Sequence, residues 1–179
     1  RRRQQHVTGR QLARVSAVDY HETVWSNLFA GNKHPVNCLP NALLGVESSL
    51  ELGKKQRQRT VWRFDGGGGS EANFRLLLDN DYQIHAKGLS SSRAAALAKQ
   101  ISRWDSYGNK WLGEVQPTFS LGKPFRLFVQ RRCKNGRFLH SYFVSTLQLP
   151  SKKHFLTRYY ARGGAEVEQF REDKSGLAM

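Results

Sequence analysis

Hydrophobic positions change their period several times along this chain, and each change marks a predicted element. Residues 10–18 alternate between apolar and polar side chains and read as a strand. Residues 20–29 mix aromatic and β-branched side chains with Glu22, Asn27 and Leu28, and are expected to form a short helix or a mixed segment. Residues 30–33 form a turn. Apolar residues at 39, 43, 46 and 50 then follow helical spacing, with Pro40 in the first turn, where a missing N–H is tolerated. Residues 53–59 are a basic loop.

A short apolar and aromatic run over 60–64 reads as a buried strand that stops at Asp65. Four glycines follow, and a helix is predicted over 70–79, with Ser70 as N-cap and Phe74, Leu77 and Leu78 on its apolar face. Residues 82–87 form another strand, closed by Gly88, and the Ala-rich run 90–104 forms a helix capped by Ser90. This strand–helix–strand–helix order marks an α/β core. From 110 the texture becomes β, with strands over 110–115, 125–132 and 137–147. The last two flank Cys133-Lys134-Asn135-Gly136, a hairpin signal. This region is expected to be an all-β insertion. Pro150 ends it, and 151–179 returns to helix, with a kink expected at Gly163-Gly164, because each glycine costs about 1 kcal/mol in a helix interior.

Composition narrows the partners. The chain has 179 residues, 39% hydrophobic and 11% aromatic, enough for one domain or one domain with an insertion. Lys and Arg number 29 against 14 acids, a formal charge of +15 that points to a polyanion. No apolar stretch approaches the ~20 residues of a membrane span, so nucleic acid is favoured over membrane. Cys38 and Cys133 match no zinc spacing and are expected to be buried or half-buried thiols in a reducing cytoplasm. Six scattered histidines offer no paired ligands. With neither initiator Met nor signal peptide, and an abrupt stop at Met179, both ends are expected to have been cut from something longer.

Two segments carry candidate chemistry. Asp65 sits where glycines admit another backbone or a phosphate, and a strand-end carboxylate beside a basic surface suits a divalent cation. The bland alternatives are turn chemistry or a flexible linker, and the Gly-Lys-Ser/Thr ending of a P-loop is missing. Near the end, Tyr159, Arg162 and Glu166 are spaced i, i+3, i+7, so a helix would present a phenol, a guanidinium and a carboxylate on one side. Glu168 would point to the opposite face. The bland alternative is a solvated charged helix.

Together the segments resemble the DDE transposases of bacterial insertion sequences. Arg63-Phe64-Asp65 with its glycines resembles that superfamily's second-Asp segment. Gly9-Arg10-Gln11-Leu12 and Tyr20-His21-Glu22-Thr23 resemble the region between its first and second Asp. Tyr159, Arg162 and Glu166 match the Tyr-x2-Arg-x3-Glu-x6-Lys signature, about a hundred residues after Asp65. Two departures stand. The signature Lys should fall at Asp173, with Lys174 one residue late, which keeps Glu168 open as the acid. The first Asp is expected upstream of Arg1, since Asp19 follows the segment it should precede.

The resemblance implies a ribonuclease-H-like mixed sheet flanked by helices, over residues 1–104. It also implies a β-rich insertion over 105–149 and a C-terminal helical part over 150–179 carrying the Glu. It implies metal-dependent cleavage and strand transfer of double-stranded DNA, with Asp65 and Glu166 ligating Mg²⁺ or Mn²⁺. Tyr159, Arg162 and Lys174 would contact DNA, and the β segment with Arg126, Arg131, Arg132, Lys134 and Arg137 resembles the insertion such transposases carry before their Glu. Trp104 and Trp111 are expected in a core role rather than stacked on a base. The expected setting is the bacterial cytoplasm, at the nucleoid, with a homodimer when complete and little activity in this segment alone. The second reading is a basic nucleic-acid-binding module without catalysis, which the charge serves equally well.

Overall fold

A computed structural model describes residues 9–161, in two compact units divided between Glu51 and Leu52. In the first unit, strands β1 (Arg10–Ala17) and β2 (Glu22–Ala30) form an antiparallel pair, followed by a 3₁₀ turn at Pro35–Cys38 and helix α1 (Leu39–Leu50). The short helix or mixed segment expected over 20–29 is largely strand instead. Thr23, Val24 and Trp25 favour a pleated surface, and β1 supplies the cross-strand partners, Val15 facing Trp25 and Leu12 facing Leu28. Gly45 of α1 lies against the Trp25 indole, and an added Cβ would come within 2.1 Å of it. Helix therefore packs on hairpin through the absence of a side chain.

The second unit is a mixed six-stranded sheet. It comprises α2 (Lys54–Arg57), β3 (Val61–Trp62), α3 (Glu71–Asp79), β4 (Gln83–Lys87), α4 (Ser91–Ala98), β5 (Asp105–Tyr107), β6 (Lys110–Val115), β7 (Arg126–Lys134), β8 (Arg137–Ser145) and α5 (Lys152–Tyr160). The strand order is β3-β4-β8-β7-β6-β5, and only β3 and β4 run parallel. The sequence expectation of an α/β chain holds at this level. The basic loop over 53–59 contains the one-turn helix α2, held by Gln56 accepting from the Gly53 amide at 2.7 Å. The helix of 90–104 ends at Ala98, and the chain re-enters the sheet at Asp105.

The expected β insertion is not separate from the sheet. β8 pairs with β4, His85 opposite Ser145 and Ala86 opposite Val144, so residues 105–145 form four of the six strands. The reason lies in burial: Tyr142, Phe143, Val144 and Ser145 are all buried, so both faces of β8 lie inside the molecule. Alternate residues feed two cores. Leu112, Phe128 and Phe143 meet Phe155, Leu156 and Tyr159 of α5 on one face. Tyr142 faces the other way, against Gly88, where an added Cβ would fall 1.9 Å from its ring. The β7–β8 turn has Asn135 and Gly136 at φ 52° and 72°, the two left-handed residues that an Asn-Gly hairpin requires.

Candidate functional site at the end of the parallel strand pair

Asp65 lies at the carboxyl end of the parallel pair β3–β4. The ladder runs beyond the regular strand residues: Gln83 N donates to Thr60 O at 3.0 Å, and Lys87 N donates to Phe64 O at 3.1 Å. Asp65 is the next residue after that last bond. The β3–α3–β4 crossover leaves two turns on this edge, the Asp65 glycine loop and the Lys87–Gly88 turn. In open α/β sheets this end of the strands is where ligands bind.

The glycines serve backbone packing first. At Gly69 an added Cβ would sit 2.0 Å from the Lys87 carbonyl oxygen, and the Leu89 amide donates to Gly69 O at 2.9 Å. The loop is thus pressed onto the end of β4, which only a residue without a side chain permits. Ser70 Oγ then accepts from the Asn73 amide at 3.1 Å and starts α3, as its sequence position predicts. Asn73, buried, returns its side-chain N–H to Gly68 O at 2.8 Å.

Asp65 itself is exposed rather than buried. One carboxylate oxygen, Oδ1, accepts from the Gly67 amide at 2.9 Å, an Asx turn. This bond fixes the side chain over the loop, and no hydrogen bond among the described residues reaches Oδ2. The turn reading of Asp65 is therefore realised, and it leaves an oxygen facing solvent at a sheet edge. Lys87 extends beside the loop, its Cε 3.8 Å from the place of a Gly66 Cβ.

Helix α5 arrives at the same edge. Arg63, two residues before Asp65, donates from Nη1 to the carbonyl of Arg158 at 3.1 Å. A guanidinium at a helix C-terminus satisfies a carbonyl that the helix leaves open and suits its negative end. The Asp65 strand and the last turn of α5 are thus tied together. Tyr159 is placed differently from expectation. It is 2% exposed, packed edge-on against Phe143 (ring centroids 4.7 Å) and against His85 (6.0 Å), so its ring is a core element and not a DNA contact. The phase of α5 explains this: Phe155, Leu156 and Tyr159 form its single apolar stripe. Tyr160 is the exposed tyrosine, bonded through its hydroxyl to Gln130 Oε1 at 2.6 Å with Lys110 over its ring. Arg162, Glu166, Glu168 and Lys174 lie outside the described residues, as does the glycine kink. Among the described residues no cluster of three or more His, Cys, Asp or Glu gathers.

Sequence reasoning missed His85. It is fully buried at the heart of the sheet, with Nδ1 2.9 Å from Ser145 Oγ and Nε2 3.2 Å from the Phe155 carbonyl oxygen. Burial is the main cause that pushes its pKa down to about 4, aided by the nearby Arg158 and Arg63 cations and opposed by the bond to Phe155. The signal was faint: a histidine amid the apolar residues of an otherwise plain strand.

The second feature is the β7–β8 tip. Arg132, Lys134 and Arg137 are exposed and form no ion pair among the described residues, and Phe138 and Leu139 are 51% and 44% exposed. Some cations elsewhere are matched, as in Arg93 with Glu71, Lys152 with Asp105 and the two-pronged Arg126–Glu114 pair. Arg131 at the base of the tip lies over Trp104 (4.4 Å), Phe138 (4.9 Å) and Trp111 (5.5 Å). The two tryptophans are half-buried around this guanidinium. Cys38 is buried, whereas Cys133 is exposed on the tip, against the expectation of two sheltered thiols. No protein-family model and no curated protein matches the chain.

Proposed function

We propose that this chain belongs to a DDE-type DNA transposase, cutting and joining DNA at the ends of an insertion sequence with Mg²⁺ or Mn²⁺. The observation that carries the reading is the tie between the Asp65 strand and α5. Arg63 donates to the Arg158 carbonyl in the last turn of α5, and Glu166 follows eight residues later in the sequence. That bond brings the Asp65 strand and the end of α5 to one edge of the sheet. In this reading the sheet is ribonuclease-H-like, and Asp65 offers Oδ2 to a metal while the Gly67 amide fixes Oδ1. Glu166 supplies the second carboxylate. The divalent ions would activate the attacking oxygen and steady the leaving one.

The chain's own cations serve the DNA. Arg63 and Lys87 flank Asp65, where phosphodiester charge must be neutralised, and Arg162 and Lys174 are assigned the cleaved strand. The unpaired cations of the β7–β8 tip give a second, sequence-independent contact with the backbone. A homodimer acting on paired ends at the nucleoid completes the proposal.

The test is Asp65→Ala in the full-length protein. Metal-dependent cleavage of the element's ends is expected to be lost, while DNA affinity stays within about twofold, because phosphate contacts dominate binding. Cleavage retained in this variant would remove Asp65 from the chemistry. A non-catalytic binding module is favoured by one observation, the turn bond of Asp65 Oδ1. It predicts affinity without cleavage in any metal.

A further inference from the structure

Helix α5 rests on the sheet chiefly through rings. Phe155 packs on Phe128 (centroids 4.2 Å) and on Phe143 (5.5 Å), and Tyr159 packs on Phe143. Such contacts bury area but give little direction, so alone they leave the helix free to roll or slide on its apolar stripe. Directed bonds hold its rim, from the Tyr160 hydroxyl to Gln130 and from Arg63 to the Arg158 carbonyl, and a further one lies in the core between helix and sheet. His85 Nε2 faces the Phe155 carbonyl oxygen, which can only accept, so Nε2 carries the proton. Nδ1 is then the acceptor, and Ser145 Oγ donates to it at 2.9 Å. Ser145 Oγ in turn accepts from the Leu147 amide at 3.2 Å. Every partner in this chain has one role, so the network has one orientation.

We propose that His85 is a positioning residue: it locks the rotation of α5 on the sheet and so keeps the helix end against Arg63 beside Asp65. The lock spans three elements, β4 through its own backbone, β8 through Ser145 and α5 through Phe155. Its consequence for DNA cleavage rests on the reading of Asp65 given above, whereas the lock itself does not. The surroundings favour the neutral ring at neutral pH. Arg63 approaches from the β3 end, and Arg158 and the Tyr159 ring from α5. Arg126 of β7 stands opposite Ser145, its charge engaged by Glu114. No described carboxylate bonds the ring, so a proton on Nδ1 would place a cation among cations.

Two substitutions separate the two bonds. A glutamine amide nitrogen reaches the place of Nε2, so His85→Gln keeps the bond to Phe155. Asparagine reaches only the place of Nδ1, so His85→Asn keeps the contact with Ser145 and drops the helix. Amide hydrogen exchange on the 179-residue chain at pH 7.5 reads the outcome directly. In His85→Asn, protection of the α5 amides is expected to fall about tenfold while β7 and β8 keep theirs, and His85→Gln is expected to restore α5. As pH falls from 7 to 4, α5 of the native chain should lose protection before the sheet does, and α5 of His85→Gln should not. Equal α5 protection in all three chains overturns the proposal, and so does joint loss from helix and sheet in both variants. Exchange that follows this pattern in a protein that cleaves no DNA leaves the lock standing and sinks only the enzymatic reading.

Discussion

Single side chains decide how tightly this molecule is held, and the clearest cases are a histidine and a glycine. His85 has an ordinary pKa of 6.5 and is pushed to about 4 in the folded chain. Between those values the unfolded chain binds a proton that the native one refuses, so stability rises with pH across this window. The contribution is complete above pH 6.5 and is lost as pH falls towards 4. Two and a half units correspond to about 3 kcal/mol. Urea unfolding at pH 7.5 and pH 4.5 is expected to differ by an amount of that order, and His85→Gln is expected to remove most of the difference. An unchanged difference in the variant would assign the pH dependence to other groups. Gly88→Ala makes the second case. The new methyl would enter the Tyr142 ring at 1.9 Å, and overpacking of this kind costs about 1–3 kcal/mol. Thermal unfolding of Gly88→Ala checks it, with Gly108→Ala as the control. Gly108 has open space around it but a left-handed φ of 60°, so any loss there comes from the backbone alone.

At the scale of elements, the sequence was legible wherever local chemistry and burial agreed. Ser70 and Ser90 cap the helices that their positions predict, the Asn135-Gly136 turn closes its hairpin, and apolar spacing finds α1. Residues 20–29 were misjudged because Glu22 and Asn27 are exposed within the strand, where a helix-compatible residue meets no penalty. The β insertion was misjudged because composition shows that a segment is β but not which strand it joins. Only the pairing of β8 with β4 makes it central. Tyr159 was misjudged because a signature spacing places residues on one helix face without saying whether that face points inward. Caps bring their own expectation: Ser70→Ala removes the acceptor for Asn73 and should cost about 1 kcal/mol in denaturant titration. The cost is expected to open the glycine loop first, since Asn73 also holds Gly68.

For the whole molecule, a charge of +15 is spread unevenly, and where it is unmatched matters more than its sum. Replacing Arg132, Lys134 and Arg137 together with glutamine should weaken DNA binding on any sequence. It should also reduce the slope of log affinity against log salt by about three, near one per phosphate contact released. An unchanged slope would move the DNA to another face. Among the described residues no helix is long and apolar enough to cross a membrane, which agrees with the absence of an apolar span in the sequence. The central claim remains that Asp65 and Glu166 hold one divalent ion. Oxygen ligands that take Mg²⁺ also take Fe²⁺, and bound Fe²⁺ with peroxide and ascorbate cuts the backbone beside the ion. The most direct measurement is therefore to map those cuts on the chain with and without Asp65→Ala. The account expects two clusters of cuts, around Asp65–Gly66 and around Glu166, both suppressed by excess Mg²⁺ and both lost together in the variant. Cuts at Glu166 that persist without Asp65, or no localised cuts at all, would contradict it.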